Sequence, residues 1–186
     1  MDAMTPDEAE EEQGDQNDDA VPSRGYRMLP VVGLGGGAAG GIEAVGALLE
    51  ATPVDTGMAF VVVLSLPAEE EDTLAQVLQR STRMPVVPVA GKERIAPDTV
   101  YVIPPGKALR TRGEHIELAA LPPGQGRHVA VDFFFRTLAD THGPHAIAVV
   151  LSGADGDGTI GVKRIKERGG LTIAQEPQDP LRRRVR

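Results

Sequence analysis

Apolar runs of strand length alternate with stretches of helical apolar spacing over most of this 186-residue chain. Two of the runs, 59–64 and 146–151, are apolar from end to end, which is typical of strands buried on both faces of a parallel sheet. The pattern predicts strands at 29–34, 59–64, 85–89, 99–103, 146–151 and 171–175 and helices at 41–51, 70–81, 131–141 and 159–168. This alternation predicts one α/β domain, doubly wound and Rossmann-like, with a mostly parallel sheet and helices on both faces.

Two segments are expected at the edges of this sheet. Residues 108–111 and 116–118 flank a polar stretch at 112–115, which predicts a β-hairpin at one edge. Pro85 and Pro88 cannot donate to a strand ladder, so the strand that contains them is also expected near an edge. The helical positions predicted to face the core are Ile42, Val45, Leu48, Leu49, Leu74, Val77 and Leu78.

The charge of the chain is concentrated at its amino terminus. Nine acidic residues lie within 1–19, where there is no Lys or Arg, so the formal net charge of −8 becomes +1 for the remainder. Such an acidic segment cannot bury enough apolar surface to offset its ordering entropy. We therefore predict a disordered acidic leader over 1–27 and a folded domain over 28–180. A near-neutral domain with 3% aromatic residues does not fit nucleic-acid binding.

Other features of the composition exclude further classes of function. The chain has no cysteine, so disulfides, thiolate metal sites and a cysteine nucleophile are excluded. No apolar run approaches the roughly 18 residues of a membrane-spanning helix, and no membrane insertion is expected. The amino terminus also lacks the basic and then apolar pattern of a secretory signal. These features favour a cytoplasmic protein.

A glycine-rich segment joins the first predicted strand to the first predicted helix. Gly35, Gly37 and Gly40 have the spacing of the dinucleotide-binding fingerprint, and the helix amides could bind a phosphate. That fingerprint also needs an acidic residue at the end of the second strand, where this chain has none before Glu69. The glycines could instead serve only to turn the strand sharply into the helix. Nucleotide binding stays open as an alternative function.

Three loops that follow predicted strands, at 35–41, 64–69 and 152–158, are expected to converge at the carboxyl edge of the sheet. With their neighbours they resemble the catalytic domain of CheB-type chemotaxis receptor methylesterases. The resemblance covers about 29–180 and rests on the stretches 32–45, 60–67, 100–106, 131–134, 153–158 and 172–175. It is nearest to the version at the amino terminus of fusions that continue into methyltransferase and sensor-kinase modules.

This resemblance implies a bacterial signal-transduction protein of the chemotaxis and two-component type, located in the cytoplasm. Domains of the family hydrolyse glutamate methyl esters on receptor helices, using a serine, a histidine and an aspartate and no cofactor. A methyl-accepting chemotaxis receptor, or another signalling protein, is therefore the expected partner. Methyltransferase and sensor-kinase modules are further candidate partners.

Two of the three catalytic positions differ from the family pattern. The serine position of the glycine segment is Ala38, the histidine position after the second strand is Ser65, and the aspartate position is kept as Asp157. A methyl group cannot attack an ester, and a serine hydroxyl is not a base near pH 7. We therefore predict a catalytically silent methylesterase-type domain, a pseudoenzyme that binds or regulates.

An active enzyme with a displaced catalytic set is the alternative interpretation. It would be a receptor glutamate methyl-ester hydrolase or glutamine deamidase in which Ser65 has found another base. His128 is the candidate, because it lies where the family's loop approaches the site. His115, His142 and His145 are interpreted as surface or capping residues.

Two remaining segments are assigned no catalytic or metal-binding role. Asp155 and Asp157 could suggest a site for a hard metal ion, but Asp157 stands where an N-cap of the last helix would lie, and we predict no metal site. Residues 181–186 contain four arginines and do not resemble the family. We interpret them as a basic tail or a truncated end that leaves part of the sheet uncovered.

Overall fold

The computed structural model describes residues 28–37, 40–66, 73–104, 106–120, 129–151 and 156–176. Along these ranges the elements are β1 (Val31–Gly37), α1 (Gly41–Ala51), β2 (Ala59–Ser65), α2 (Leu74–Gln79), β3 (Val86–Pro88), β4 (Lys92–Arg94), β5 (Val100–Val102), β6 (Ala108–Arg112), β7 (His115–Ala119), α3 (Ala130–His142), β8 (Ala146–Val150), α4 (Thr159–Glu167) and β9 (Leu171–Ala174). A 3₁₀ turn, Gly143–His145, joins α3 to β8. The predicted leader over 1–27 and the segment 181–186 lie outside the described residues.

The main sheet has six strands in the order β3-β5-β2-β1-β8-β9, and its described pairings are all parallel. Its centre is formed by the apolar runs, since β1 pairs with β2 on one side and β8 on the other. The sequence-based expectation that these three strands are adjacent and parallel is confirmed. The proline-containing strand β3 lies at one edge, as expected, and β9 lies at the other.

The predicted hairpin forms, but its expected place was wrong. Strands β6 and β7 pair in antiparallel fashion and join β4 in a separate three-stranded sheet, in the order β4-β7-β6. The hairpin does not extend the main sheet, because Leu109 and Ile116 pack into the core on the α3 side. Strand β4 was missed altogether, since the sequence Lys-Glu-Arg carries no apolar signal.

The main sheet carries a separate apolar core on each face. The face that presents Val61 and Val63 packs against α3 and α4, and the face that presents Val62 and Leu64 packs against α1 and α2. This arrangement confirms the predicted doubly wound fold with helices on both faces. In the described residues, no helix has both the length and the apolar character needed to cross a membrane.

Helix α2 corrects one prediction of the core. Leu74 and Leu78 are fully buried, but Val77, which was predicted to face inward, is 38% exposed. A helix of six residues offers only a narrow contact face, and two leucines spaced four residues apart fill it. On the far edge strand β9, Leu171 and Ile173 are also exposed.

Candidate functional site at the carboxyl edge of the sheet

The ends of β1, β2 and β8 meet at one edge of the main sheet. Gly37, the last residue of β1, pairs with Ser65, the last residue of β2. On the other side of β1, the amide of Leu151 donates to the carbonyl of Gly35 at 2.8 Å. The three segments that the sequence analysis singled out therefore leave the sheet side by side, at the place where α/β proteins bind their ligands.

The glycine segment is strand as far as Gly37, and not a turn as predicted. Helix α3 crosses so closely that a Cβ atom at Gly35 would lie 2.4 Å from Val131 Cγ1 and 2.9 Å from Phe135 Cζ. Gly33 is covered by the same helix, with Phe135 Cε1 at 2.8 Å from its ideal Cβ position. Packing against α3 therefore accounts for Gly33 and for Gly35, the first glycine of the fingerprint spacing, without any phosphate.

Ser65 presents its hydroxyl to the α3 side of the sheet. Side chains alternate along a strand, and Ser65 is two residues beyond Val63, which belongs to the core on that side. The Oγ atom is buried and has no hydrogen-bond partner among the described residues. A buried hydroxyl without a partner costs about 1–3 kcal/mol, and in a native protein such an atom often marks a functional position.

Asp157 is held by the start of helix α3. It is only 7% exposed, its Oδ1 accepts from the amide of Asp132 at 2.9 Å, and its Oδ2 accepts from the amide of Val131 at 3.1 Å. Burial raises the pKa of the Asp157 carboxyl, and the charge of Asp132 raises it further, while the backbone donors partly offset the shift. The carboxylate thus occupies the positive end of a helix that begins 27 residues before it along the chain.

This arrangement corrects the predicted cap of the last helix. Helix α4 has Gly158 at its N-cap, in the left-handed region with φ of 96°, and no side chain caps it from that position. Asp132, in the first turn of α3, instead accepts a hydrogen bond from the amide of Gly161 at 2.8 Å. The two helices therefore cap each other, Asp157 serving α3 and Asp132 serving α4. Sequence reasoning missed Asp132, although an acid in the first turn of a helix was an available signal.

Ala38, His128 and Asp155 lie outside the described residues. Ser65 and Asp157 are both on the α3 side of the same edge, and the meeting of all three catalytic positions in one cleft stays a prediction. Across the described segments, no group of three or more His, Asp or Glu side chains could hold a metal ion.

Of the remaining histidines, one is not where it was predicted. His145 is exposed and His115 begins β7, in keeping with surface positions. His142, predicted to be a surface or capping residue, is instead only 3% exposed at the end of α3. Burial lowers its pKa from 6.5 to about 4, with a smaller contribution from His145. The apolar spacing of α3 continues to its last residue, so its final turn is packed against the core.

Comparisons with known proteins agree with this architecture. The family description "CheB methylesterase" matches residues 32–181. The catalytic domain of the CheB methylesterase of Thermotoga maritima superimposes with a TM-score of 0.72, at 24% identity and over 81% of each chain. That similarity shows the fold.

Among curated proteins, a protein from Rhodobacter capsulatus described as uncharacterised is 43% identical over 108 residues, which are 57% of this chain and 11% of that protein. A putative protein-glutamate methylesterase/protein-glutamine glutaminase of Leptospira interrogans is 29% identical over 76% of this chain and 74% of its own length. The methylesterase FrzG of Myxococcus xanthus is 38% identical over 55% of this chain and 31% of its own length. The chain thus spans between about a tenth and three quarters of the length of these relatives. Because the family match covers most of its residues, the chain belongs to the CheB methylesterase family.

Proposed function

We propose that this domain acts in chemotaxis-type signalling as a binding or regulatory module and does not turn over glutamate methyl esters. The observation that carries the proposal is the pair of side chains at the two reactive positions. Ala38 offers no nucleophile, and Ser65 offers a neutral hydroxyl where the family pattern has its base. Acyl transfer needs both groups, because the base must take the proton from the attacking oxygen.

The surroundings of Asp157 support the same conclusion. Both of its carboxylate oxygens accept backbone hydrogen bonds from the start of α3, so the folded domain needs this side chain whether or not it catalyses a reaction. Retention of the aspartate therefore does not argue for retained hydrolysis. Loss of the nucleophile or of the base alone removes about as much rate as loss of the whole triad, roughly 10⁶-fold.

The family and the names of the relatives indicate which signalling proteins this domain binds. Two of these relatives are named as protein-glutamate methylesterases. We therefore propose that this domain binds a methyl-accepting receptor in the cytoplasm. The chain spans 11% of the Rhodobacter protein, and methyltransferase and sensor-kinase modules of a two-component system are proposed as neighbours or partners.

The test is methanol release from a methylated receptor. We expect the wild type, Ala38→Ser and Ser65→His to stay at background, because each single change supplies only half of the nucleophile and base pair. The double variant Ala38→Ser/Ser65→His should release methanol measurably. As a matched control, Ala51→Ser/Ser65→His places the added hydroxyl at the exposed end of α1 and should remain inactive. A wild type as active as the double variant would overturn the proposal.

The second candidate is an active hydrolase or deamidase with a displaced catalytic set. It is favoured by the buried Ser65 hydroxyl, for which the described part of the chain offers no hydrogen-bond partner. In that case the wild type releases methanol from methylated receptor, or ammonia from receptor glutamines. Ser65→Ala and His128→Ala should then each abolish the release, whereas His145→Ala, an exposed histidine, should not.

A further inference from the structure

A cavity lies beside the amino end of β1, opposite the carboxyl edge that holds the candidate site. It has a volume of about 380 Å³ and is lined by Met28 and Leu29, just before β1, and by Ile95, Ala96 and Pro97, just after β4. Pockets of this size, with mostly apolar walls and a few polar groups, are typical sites for small molecules. The segment before β1, the segment between β4 and β5 and the end of α3 surround it, so it is separate from the residues of the methylesterase site.

The wall of this cavity is held by hydrogen bonds within the protein. The Tyr101 hydroxyl accepts from the amide of Ala96 at 2.9 Å and donates to the carbonyl of Arg94 at 3.1 Å. The amide of Ile95 donates to the carbonyl of Glu114 at 2.8 Å. Because these contacts fix the segment between β4 and β5 against the hairpin, the cavity is preformed, and a ligand would not have to order it.

The charged side chains that the structure describes at the cavity balance each other. Arg94 and Glu114 both line it, and they form an ion pair at 3.0 Å on the exposed side. His142, which also lines it, is neutral at physiological pH because burial lowers its pKa to about 4. Among the described lining residues no net charge is left to attract an anion or a cation, which favours an uncharged ligand.

Hydrogen bonds at the end of α3 determine which nitrogen of His142 is left for a ligand. The Thr141 hydroxyl donates to the carbonyl of Thr137 at 2.9 Å and lies 2.8 Å from His142 Nδ1 and 2.7 Å from the Thr111 hydroxyl. A hydroxyl donates once and accepts twice, so when the Thr141 proton is on the Thr137 carbonyl, Nδ1 carries the ring proton and donates to Thr141. In that tautomer Nε2 keeps an unshared electron pair as an acceptor, and His142 makes no other hydrogen bond with the described residues.

We propose that this cavity binds an uncharged, largely apolar ring molecule that carries a single hydrogen-bond donor, with the donor directed at Nε2 of His142. The preformed apolar walls supply shape, and the paired charges of Arg94 and Glu114 give neither an anion nor a cation an advantage. The imidazole supplies an acceptor that distinguishes a donor from an isosteric molecule without one. This site does not depend on hydrolytic activity and stands whether or not the methylesterase centre is silent.

Indole and 1-methylindole are suitable probes, because both are apolar bicyclic rings and only indole has an N–H donor. Each would be titrated into the millimolar range against the ¹⁵N-labelled full chain. We expect the indole-dependent shifts to centre on the amides of Leu29, Ile95 and Ala96. One neutral hydrogen bond predicts that indole binds about fivefold more tightly than 1-methylindole.

Two substitutions of His142 separate its acceptor role from its packing. Asparagine places its amide near Nδ1 and can keep the contact with Thr141, whereas glutamine places its amide near Nε2. We therefore expect His142→Asn to lose the preference for indole over 1-methylindole and His142→Gln to retain part of it. Ala96→Trp, at an exposed position on the rim, should block both probes without disturbing the fold.

The following results would overturn the proposal: no indole-dependent shifts, shifts centred on the carboxyl edge of the sheet, or equal affinity for the two probes. Binding that is unchanged in Ala96→Trp would also overturn it. Because Ala96→Trp changes an exposed residue, this arm remains decisive if the His142 variants fail to fold.

Discussion

Substitution of Asp157 by alanine tests whether its carboxylate supports the fold. The change removes the acceptors of two backbone N–H groups at the start of α3, those of Val131 and Asp132. Val131 is fully buried, so its amide would be left without water or protein to bind, and an unpaired buried donor costs about 1–3 kcal/mol. Loss of a helix cap costs about 1 kcal/mol. Burial of the charge, which raises the pKa of Asp157, is relieved by alanine and offsets part of the loss, so we expect a net destabilisation of about 2 kcal/mol.

Urea unfolding followed by circular dichroism measures this loss of stability. Asp157→Asn should be intermediate, because one amide oxygen can still accept one of the two N–H groups. Asp140→Ala is the matched control, since Asp140 is a half-exposed acid on the same helix that pairs with Arg164 and Arg168, and its loss should cost less than about 1 kcal/mol. The reasoning fails if Asp157→Ala unfolds at the urea concentration of the wild type.

Three further outcomes are expected from unfolding measurements. Gly35→Ala should lose about 2 kcal/mol through overlap with α3, with Gly91→Ala, which meets nothing within 4 Å, as an unaffected control; equal stability of the two would contradict the close packing. The pKa of His142 falls from 6.5 to about 4 on folding, so the folded state binds fewer protons than the unfolded state at acidic pH. The free energy of unfolding should therefore decline by up to about 3 kcal/mol as the pH falls from 6.5 to 4. Urea unfolding at several pH values measures this decline, which His142→Asn should flatten. Leu78→Ala should cost about 2–4 kcal/mol and Val77→Ala below about 1 kcal/mol, since Val77 is partly exposed, and similar losses would place both side chains in the core.

The central sheet could be predicted because its signal lies within single segments. The runs at 59–64 and 146–151 are apolar throughout, and such strands find partners on both sides. The hairpin was predicted for the same reason, but the sheet that it joins depends on Leu109 and Ile116 reaching the core on the α3 side. That is a tertiary contact, and local alternation carries no information about it.

The candidate site was likewise predictable only where the signal lies within single segments. The resemblance singled out Ser65 and Asp157 as candidate site positions, and the pattern of elements predicted that they lie at the carboxyl edge of the sheet. The hydrogen-bond partners of Asp157 were not predictable, because Val131 and Asp132 are about 25 residues away in sequence and approach only after α3 packs on β1. The burial of His142 escaped prediction because a histidine in the last turn of a helix is usually read as a cap.

The reciprocal capping of α3 and α4 has a consequence for the order in which the domain folds. Helix α3 precedes Asp157 in the chain, yet the amides of its first turn find their acceptors only when that residue arrives, and α4 in turn depends on Asp132. The amino-terminal turns of both helices should therefore gain these acceptors only when the two helices dock. The two helices should form and open as one cooperative unit, with amide protons in both first turns exchanging with solvent through the same opening event.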